Sequence, residues 1–252
     1  MELPESRNLA AQINAALKSR KISEVVANKS PHKFAWFSGD PAGYKELLTE
    51  KRISFAASYG GMVEIQTEDI RLIFSDGTNI RFLAPEEKIP DKHQLCLKFD
   101  DGSSLVMSVQ MYGSLWALKD GETEKYNEIA RSKPDPLTSM FDRSYFQTLL
   151  GESEAKLSAK AFLATNQRIP GLGNGVLQDI LFNAGIHPKR KMSTLSVAEF
   201  DDLYNSLKDT LKVMTSLGGR DTEKDIFGVY GGYETLLSAK TYGRPCPKCQ
   251  VL

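Results

Sequence analysis

The sequence predicts an α+β protein: an N-terminal β-sandwich domain with an N-terminal helix, then a helical domain, then a short cysteine-bearing tail. Three observations carry this reading. Short runs of β-type residues broken by turn signals fill the stretch from Ile22 to Ala117, and apolar residues three or four apart dominate from Phe141 to Leu217. Between them lies Lys133-Pro134-Asp135-Pro136, a linker composition.

Taken in order, Glu5 to Arg20 places Leu9, Ile13, Ala16 and Leu17 on one stripe with Pro4 near the start, which predicts an amphipathic helix packed on a sheet. The β-type runs are Val25-Val26, Ile53 to Tyr59, Met62 to Gln66, Ile70 to Phe74, Ile80 to Leu83, Leu95 to Phe99, Leu105 to Val109 and Leu115 to Ala117. Turns at Ser75-Asp76-Gly77 and Asp101-Gly102 separate several of them, the spacing of a sandwich or flattened barrel. Glu122 to Asp135 is polar. Helical spacing follows at Phe141 to Leu150, Lys156 to Thr165, Val176 to Ala184 and Ser196 to Leu217. Ser196 and Glu199 have capping-box spacing, and Gly218-Gly219 closes the last helix. The expected boundaries are 1–125 for the sandwich, 126–136 for the linker, 137–236 for the helical domain and 237–252 for the tail.

The charge balance is neutral, with 32 Lys+Arg against 32 Asp+Glu in 252 residues, so any affinity for nucleic acid must rest on a local basic face. Cys96, Cys246 and Cys249 do not form a disulfide framework. No secretory segment or bilayer-spanning run is present in the sequence, which predicts a reducing, cytoplasmic setting without membrane attachment.

The stretch most informative about function is Asn166-Gln167-Arg168-Ile169-Pro170-Gly171-Leu172-Gly173-Asn174-Gly175. Pro170, Gly171 and Gly173 interrupt a helix and a new one starts at Asn174, which leaves backbone N–H groups bare at its beginning. Such a tip binds anions. With Lys160, Arg168 and the cluster His187-Pro188-Lys189-Arg190-Lys191 nearby in sequence, a phosphate backbone is the expected ligand. Two other readings exist: an ordinary tight turn, and a dinucleotide fingerprint. The latter needs a preceding strand, whereas Glu154 to Thr165 has helical spacing.

Lys160 through Asn166, then Arg168 to Asn174, then Ala184-Gly185-Ile186-His187-Pro188 together resemble the helix-two-turns-helix module of the formamidopyrimidine-DNA glycosylase and endonuclease VIII family. Glu2-Leu3-Pro4-Glu5 is similar to that family's amino terminus, and Cys246-Pro247-Lys248-Cys249 to the first half of its zinc finger. The resemblance implies a glycosylase and abasic-site lyase of base excision repair. Its partner would be duplex DNA carrying a damaged base or abasic site, met as a monomer in a cleft between the two halves.

It also implies roles. The Met1 amine would be the nucleophile, because an α-amine with a pKa of about 7.7–8.0 is far more often neutral than a lysine at about 10.4. Glu2 would be the catalytic acid and Glu5 a second acid holding the sugar, although both residue types also favour a helix's first turn for electrostatic reasons alone. Lys160, Arg168, Gly173 and Asn174 would hold DNA. Tyr112 would wedge into the stack left by an extruded base, Gln110 would read the opposite base differently or not at all, and the Phe227 to Tyr233 loop would cover the extruded base, an ordinary surface connection being the other reading of that loop.

There are departures from the family. Met1 stands where it has proline, Gly61 where it has a phosphate-binding lysine, and Gln110-Met111 where it has paired arginines. Cys246 and Cys249 supply half of a four-ligand zinc site; either the second half lies beyond Leu252 or the finger is degenerate and metal-free. No organic cofactor is expected. His32 to Phe37 mixes basic and aromatic residues, which a half-buried strand edge also explains; His93 and His187 carry no ligand spacing. The departures leave a second hypothesis, a family paralogue that binds DNA without releasing a base. A third is a module that uses the same turn against RNA or protein.

Overall fold

The structure is a computed structural model that describes residues 1–251. Helix α1 (Leu3–Leu17) opens the chain, followed by β1 (Ile22–Ala27), β2 (Ala35–Phe37), α2 (Tyr44–Leu48), β3 (Phe55–Tyr59), β4 (Met62–Gln66) and β5 (Ile70–Phe74). Then come β6 (Thr78–Leu83), β7 (Leu95–Phe99), β8 (Ser104–Val109) and β9 (Gly113–Lys119). A four-stranded sheet in the order β1-β7-β8-β6 packs on a five-stranded sheet in the order β2-β9-β5-β4-β3. Their inner faces share one core, to which Leu97, Leu105 and Met107 contribute from the first sheet and Val63, Ile65, Leu72 and Phe74 from the second. This is the expected sandwich.

Two elements of this half were not expected. Strand β2 is three residues long and pairs in parallel with β9 at the sheet edge, so the mixed basic and aromatic run is a strand edge. Helix α2 has five residues, too few to show periodicity; it lodges the fully buried Tyr44, whose hydroxyl donates to the Leu115 carbonyl at 2.7 Å.

The second half contains α3 (Lys125–Ser132), α4 (Arg143–Thr148), α5 (Glu152–Ala155), α6 (Ala159–Ala164), α7 (Asn174–Asn183) and α8 (Val197–Ser216). Most of the linker expected at 126–136 is therefore helix. Its inward residues are Asn127 and Ala130, one polar and one small, so no apolar stripe announces it. Helix α3 covers the outer face of the five-stranded sheet, where Arg131 donates to both carboxylate oxygens of buried Glu64 at 2.8 Å and lies over the Tyr59 ring. The single helix expected from Lys156 to Thr165 is interrupted as well. Ser158 caps α6 by accepting from the Ala161 N–H, and α5 has ended by then. Helix α8 has the expected capping box between Ser196 and Glu199, with Gly218 and Gly219 at positive φ after it.

Helix α1 belongs to both halves. Leu3 lies in the helical core with Leu172, Val176 and Phe162, while Leu9, Ile13 and Leu17 lie in the sandwich core. Its start is fixed by the Leu3 N–H donating to the Gly171 carbonyl at 2.9 Å and by the Ser6 hydroxyl donating to the Gly60 carbonyl at 2.6 Å. Gly60, in the β3–β4 turn, meets Pro170-Gly171 backbone to backbone. A Cβ on Gly171 (φ +86°) would come within 2.5 Å of the Gly60 carbonyl carbon. We expect Gly171→Ala to destabilise the protein by about 2 kcal/mol, through both the clash and the strained φ. The urea midpoint measures it, and an unchanged midpoint would show that this seam yields.

Candidate active site and nucleic-acid interface

Glu2 lies just before α1, and its carboxylate reaches the start of α7. Oε1 accepts from the Gly175 N–H at 2.9 Å and Oε2 from the Val176 N–H at 2.8 Å. A Cβ on Gly173 would sit 2.6 Å from Glu2 Oε1, so glycine is what admits the carboxylate. The N–H groups expected to be bare for phosphate are thus partly occupied by an anion from the chain itself. Burial pushes the Glu2 carboxyl above the usual carboxylate range, against the opposing pull of Arg220 and the two N–H donors.

Glu5 is buried and spent. It accepts from Arg220 Nε at 2.9 Å and Nη2 at 3.0 Å, and also from the Glu2 N–H at 3.0 Å. Burial acts to raise its pKa, but the Arg220 guanidinium outweighs that and holds it below the usual range. Arg220 also lies 3.5 Å from Glu2 Oε1 and fills the space beside Gly175, where a Cβ would collide with it. Sequence reasoning missed Arg220; the signal was a lone arginine directly after the paired glycines that end α8. In this structure Glu5 anchors Arg220 beneath Glu2.

The Met1 amine donates to Asp76 Oδ1 at 3.0 Å, and the Tyr112 hydroxyl donates to Asp76 Oδ2 at 3.3 Å. Burial disfavours the charged amine, yet Asp76, Glu223 and Glu5 together outweigh it and hold the ammonium above the ordinary α-amine value. A smaller neutral fraction results than the sequence alone implies. Asp76, in a turn read only as punctuation between strands, was the second residue missed.

The residues expected to hold DNA divide sharply. Asn174 and Lys160 are exposed. Arg168 is buried, donates to the Phe162 carbonyl at 2.6 Å and to Glu154 at 3.2 Å, and stacks over Phe162, so it braces the turn and offers no charge to a phosphate. Arg190 is likewise paired with Glu199, whereas Lys189 and Lys191 are exposed. Gln110 is exposed and borders a cavity of about 230 Å³ between α1 and the loop near Gly228. In that loop, Phe227 packs on Phe82 and Tyr233 belongs to the helical core, which removes Tyr233 from any cover over a base.

Cys246 and Cys249 form a turn in which the N–H groups of Cys249 and Lys248 hold the Cys246 thiol below its usual range. Lys248 donates to the Phe182 carbonyl at 2.9 Å, at the C-terminal end of α7. Among the described residues no cluster of three or more His, Cys, Asp or Glu could hold a metal. Two thiols do not make the four-ligand site that structural zinc takes, so the residues present do not fit the metal on their own.

A second cavity, about 570 Å³ in volume, lies beside Met1 and Glu2, between the outer face of the five-stranded sheet, α3 and the turn before α7. A helix pair joined by a glycine-bearing turn is docked on a β-sandwich so that the first residues line the cleft. Residues 133–225 match the formamidopyrimidine-DNA glycosylase H2TH domain. The chain is 26% identical to formamidopyrimidine-DNA glycosylase of Bacillus cereus over 257 residues, covering 100% of this chain and 92% of the relative. It is 29% identical to that of Hydrogenovibrio crunogenus, covering 98% and 88%. Lactococcus lactis Fpg in complex with DNA containing an abasic site shares the fold, with a TM-score of 0.83 at 22% identity over 99% of this chain and 92% of that one. The chain is thus similar along its whole length to formamidopyrimidine-DNA glycosylases, and residues 133–225 match their H2TH domain.

Replacing Glu5 by Gln removes the carboxylate hydrogen-bonded to buried Arg220, leaving only the more distant Glu2 and Glu223, and should cost about 3 kcal/mol. Because Glu5 has a depressed folded pKa, its contribution is present above the unfolded value of about 4.3 and is lost as the pH falls through the lower folded value. Urea unfolding of wild type and Glu5→Gln from neutral to acid pH should therefore give curves that converge below about pH 4; a constant gap would exclude Glu5 ionisation as the cause.

Proposed function

We propose that this protein is a DNA glycosylase and abasic-site lyase of base excision repair, acting in the cytoplasm on duplex DNA that carries a damaged or missing base. The observation that carries this reading is the meeting of the Met1 amine, the Glu2 carboxyl and the N-terminus of α7 at one cleft wall, with Glu2 joined to α7 across 173 residues of sequence.

In its neutral form, the Met1 nitrogen bonds to C1′ as the bond from C1′ to the base breaks; the base leaves with that electron pair and takes a proton from water, while the Met1 nitrogen passes one proton to Asp76, the carboxylate beside it. Glu2, whose pKa burial raises, acts in its protonated form and gives its proton to the ring oxygen as the C1′–O4′ bond opens, which leaves a protonated imine on Met1. Asn174 and Lys160 present polar and cationic side chains to the strand from the turn and the helix before it. Gln110 and Tyr112 lie on the loop between β8 and β9, from which Tyr112 wedges into the gap left in the stack and Gln110 faces the opposite base.

Borohydride added to a mixture with abasic-site duplex should trap a covalent adduct that peptide mass mapping places on Met1, and Glu2→Gln should slow its formation about 100-fold. An adduct on any other residue, or none, would overturn the nucleophile assignment. Asp76→Asn tests the amine from another side. Asp76 raises the pKa of Met1, so its removal lowers that pKa and moves the pH profile of trapping to more acid values; an unmoved profile would separate Asp76 from the chemistry.

A second reading, a family member that binds DNA without releasing a base, is favoured by two observations: the Met1 ammonium is already paired with Asp76, and Gly61 offers no cation. It predicts salt-sensitive binding, weakened by Asn174→Ala, with no adduct under any conditions.

A further inference from the structure

Strand β2 and the turn before it carry a row of rings to which the function proposed above gives no task. Ala35 and Phe37 pack on the sandwich core, and Trp36 between them turns outward. The centroid of the Phe34 ring lies 6.4 Å from that of Trp36, and the His32 ring 6.3 Å from Phe34, with planes inclined by 59° and 63°. The rings therefore do not lie flat on one another. Phe34 is 46% exposed and Trp36 48%, and the Lys33 ammonium stands over the Phe34 ring at 5.3 Å. The row leads into the cavity beside Met1, which Trp36 lines together with Trp116, Tyr59, Tyr112 and Tyr126. Among the described residues no lysine or arginine lines that cavity, and its charged groups are the Met1 amine, Glu2 and Asp76. Gln167 borders it as well, and its Oε1 is buried without a hydrogen-bond partner.

We propose that the row and the cavity hold unpaired nucleotides that flank the one attacked at Met1, so that the protein prefers a target in a bubble or single strand to the same target in intact duplex. The inference rests on the function proposed above and narrows its substrate class. A base inside a duplex is paired and stacked, and has no face to turn toward a protein ring. An unpaired base has one, and aromatic side chains are how proteins hold such strands whatever their sequence. A duplex is gripped instead by cations laid against its phosphates, whereas this wall presents two carboxylates. The chain as a whole is neutral, 32 cationic against 32 anionic residues, so no general field makes up for the cations absent here. The occupant is a continuation of the attacked strand because the amine and the acid stand in the same wall, and the neighbours of a sugar held at Met1 have this cavity as their surroundings. Lys33 sets one cation beside the outer end of the row for the strand's phosphates, and Gln167 offers an acceptor to an N–H of a base whose pairing partner is missing.

The test uses one strand carrying a single abasic site, presented alone, in full duplex, and in a bubble whose bases on either side of the site are mismatched. An abasic target has no base of its own, so any stacking comes from its neighbours. Binding is read by anisotropy of a dye at the far end of the strand, and the covalent step by borohydride trapping in the same samples. The bubble and the single strand should each bind about tenfold more tightly than the full duplex, in keeping with stacking of one base. Trp36→Ala should abolish that gain and leave duplex binding within about twofold, which also shows that the variant is folded; Trp36→Phe, which keeps a ring, should retain most of the gain. Equal binding of bubble and duplex, or a gain that Trp36→Ala leaves intact, would overturn the inference, while trapping on the duplex keeps the proposed function standing. A Trp36-dependent gain without an adduct on any of the three would overturn the proposed function and support the strand site alone. No binding to any of them would overturn both.

Discussion

A carboxylate from the second residue of the chain holds the first turn of a helix that begins at residue 174. That bond orders the cleft. Two backbone N–H groups fix both oxygens of Glu2, so the acid cannot rotate away, and the amine one residue before it is carried to a defined place on the cleft wall. The helix end supplies partial positive charge, Arg220 adds a full one at 3.5 Å, and burial opposes both. The balance differs for the two neighbouring acids. Glu2 has one guanidinium nitrogen at a distance and is pushed toward its neutral form; Glu5 has two in hydrogen-bond contact and is held ionised. The pKa values of two carboxylates three residues apart are thereby moved in opposite directions, Glu2 upward by burial and Glu5 downward by Arg220.

Much of the fold could be read from the sequence because it rests on local periodicity. Strands β4, β5 and β7 fall on the residues expected, and α8 has the expected cap and stop. What escaped were elements too short to show a period, β2 and α2, and α3, whose buried side is made of Asn127 and Ala130. Helix α3 also explains why β4 is buried on both faces, a pattern that alternation does not predict.

The site was legible where a motif carries its own geometry, as with Glu2 and the turn before Asn174, and not where partners come together only through folding. Arg220 and Asp76 belong to no local pattern with Met1. The glycines of the turn were read as freeing N–H groups for an external anion; Gly173 and Gly175 are there to make room for Glu2 and Arg220. Arg168 fits a basic cluster in one dimension and is an internal brace in three. The aromatic cavity gathers residues from positions 36, 59, 112, 116 and 126, spread too widely for any spacing to announce them.

Helix α1, which is shared between the two cores, imposes an order on synthesis. It is made before every other described element, yet Leu3 needs the helical core, Glu5 needs Arg220, and Gln12 pairs with Asp225 at 2.8 Å. Its partners are therefore made almost last. An amphipathic segment must wait, unsatisfied, while the sandwich it belongs to is completed around it, and the nascent chain cannot close its first half until nearly all of the second has emerged.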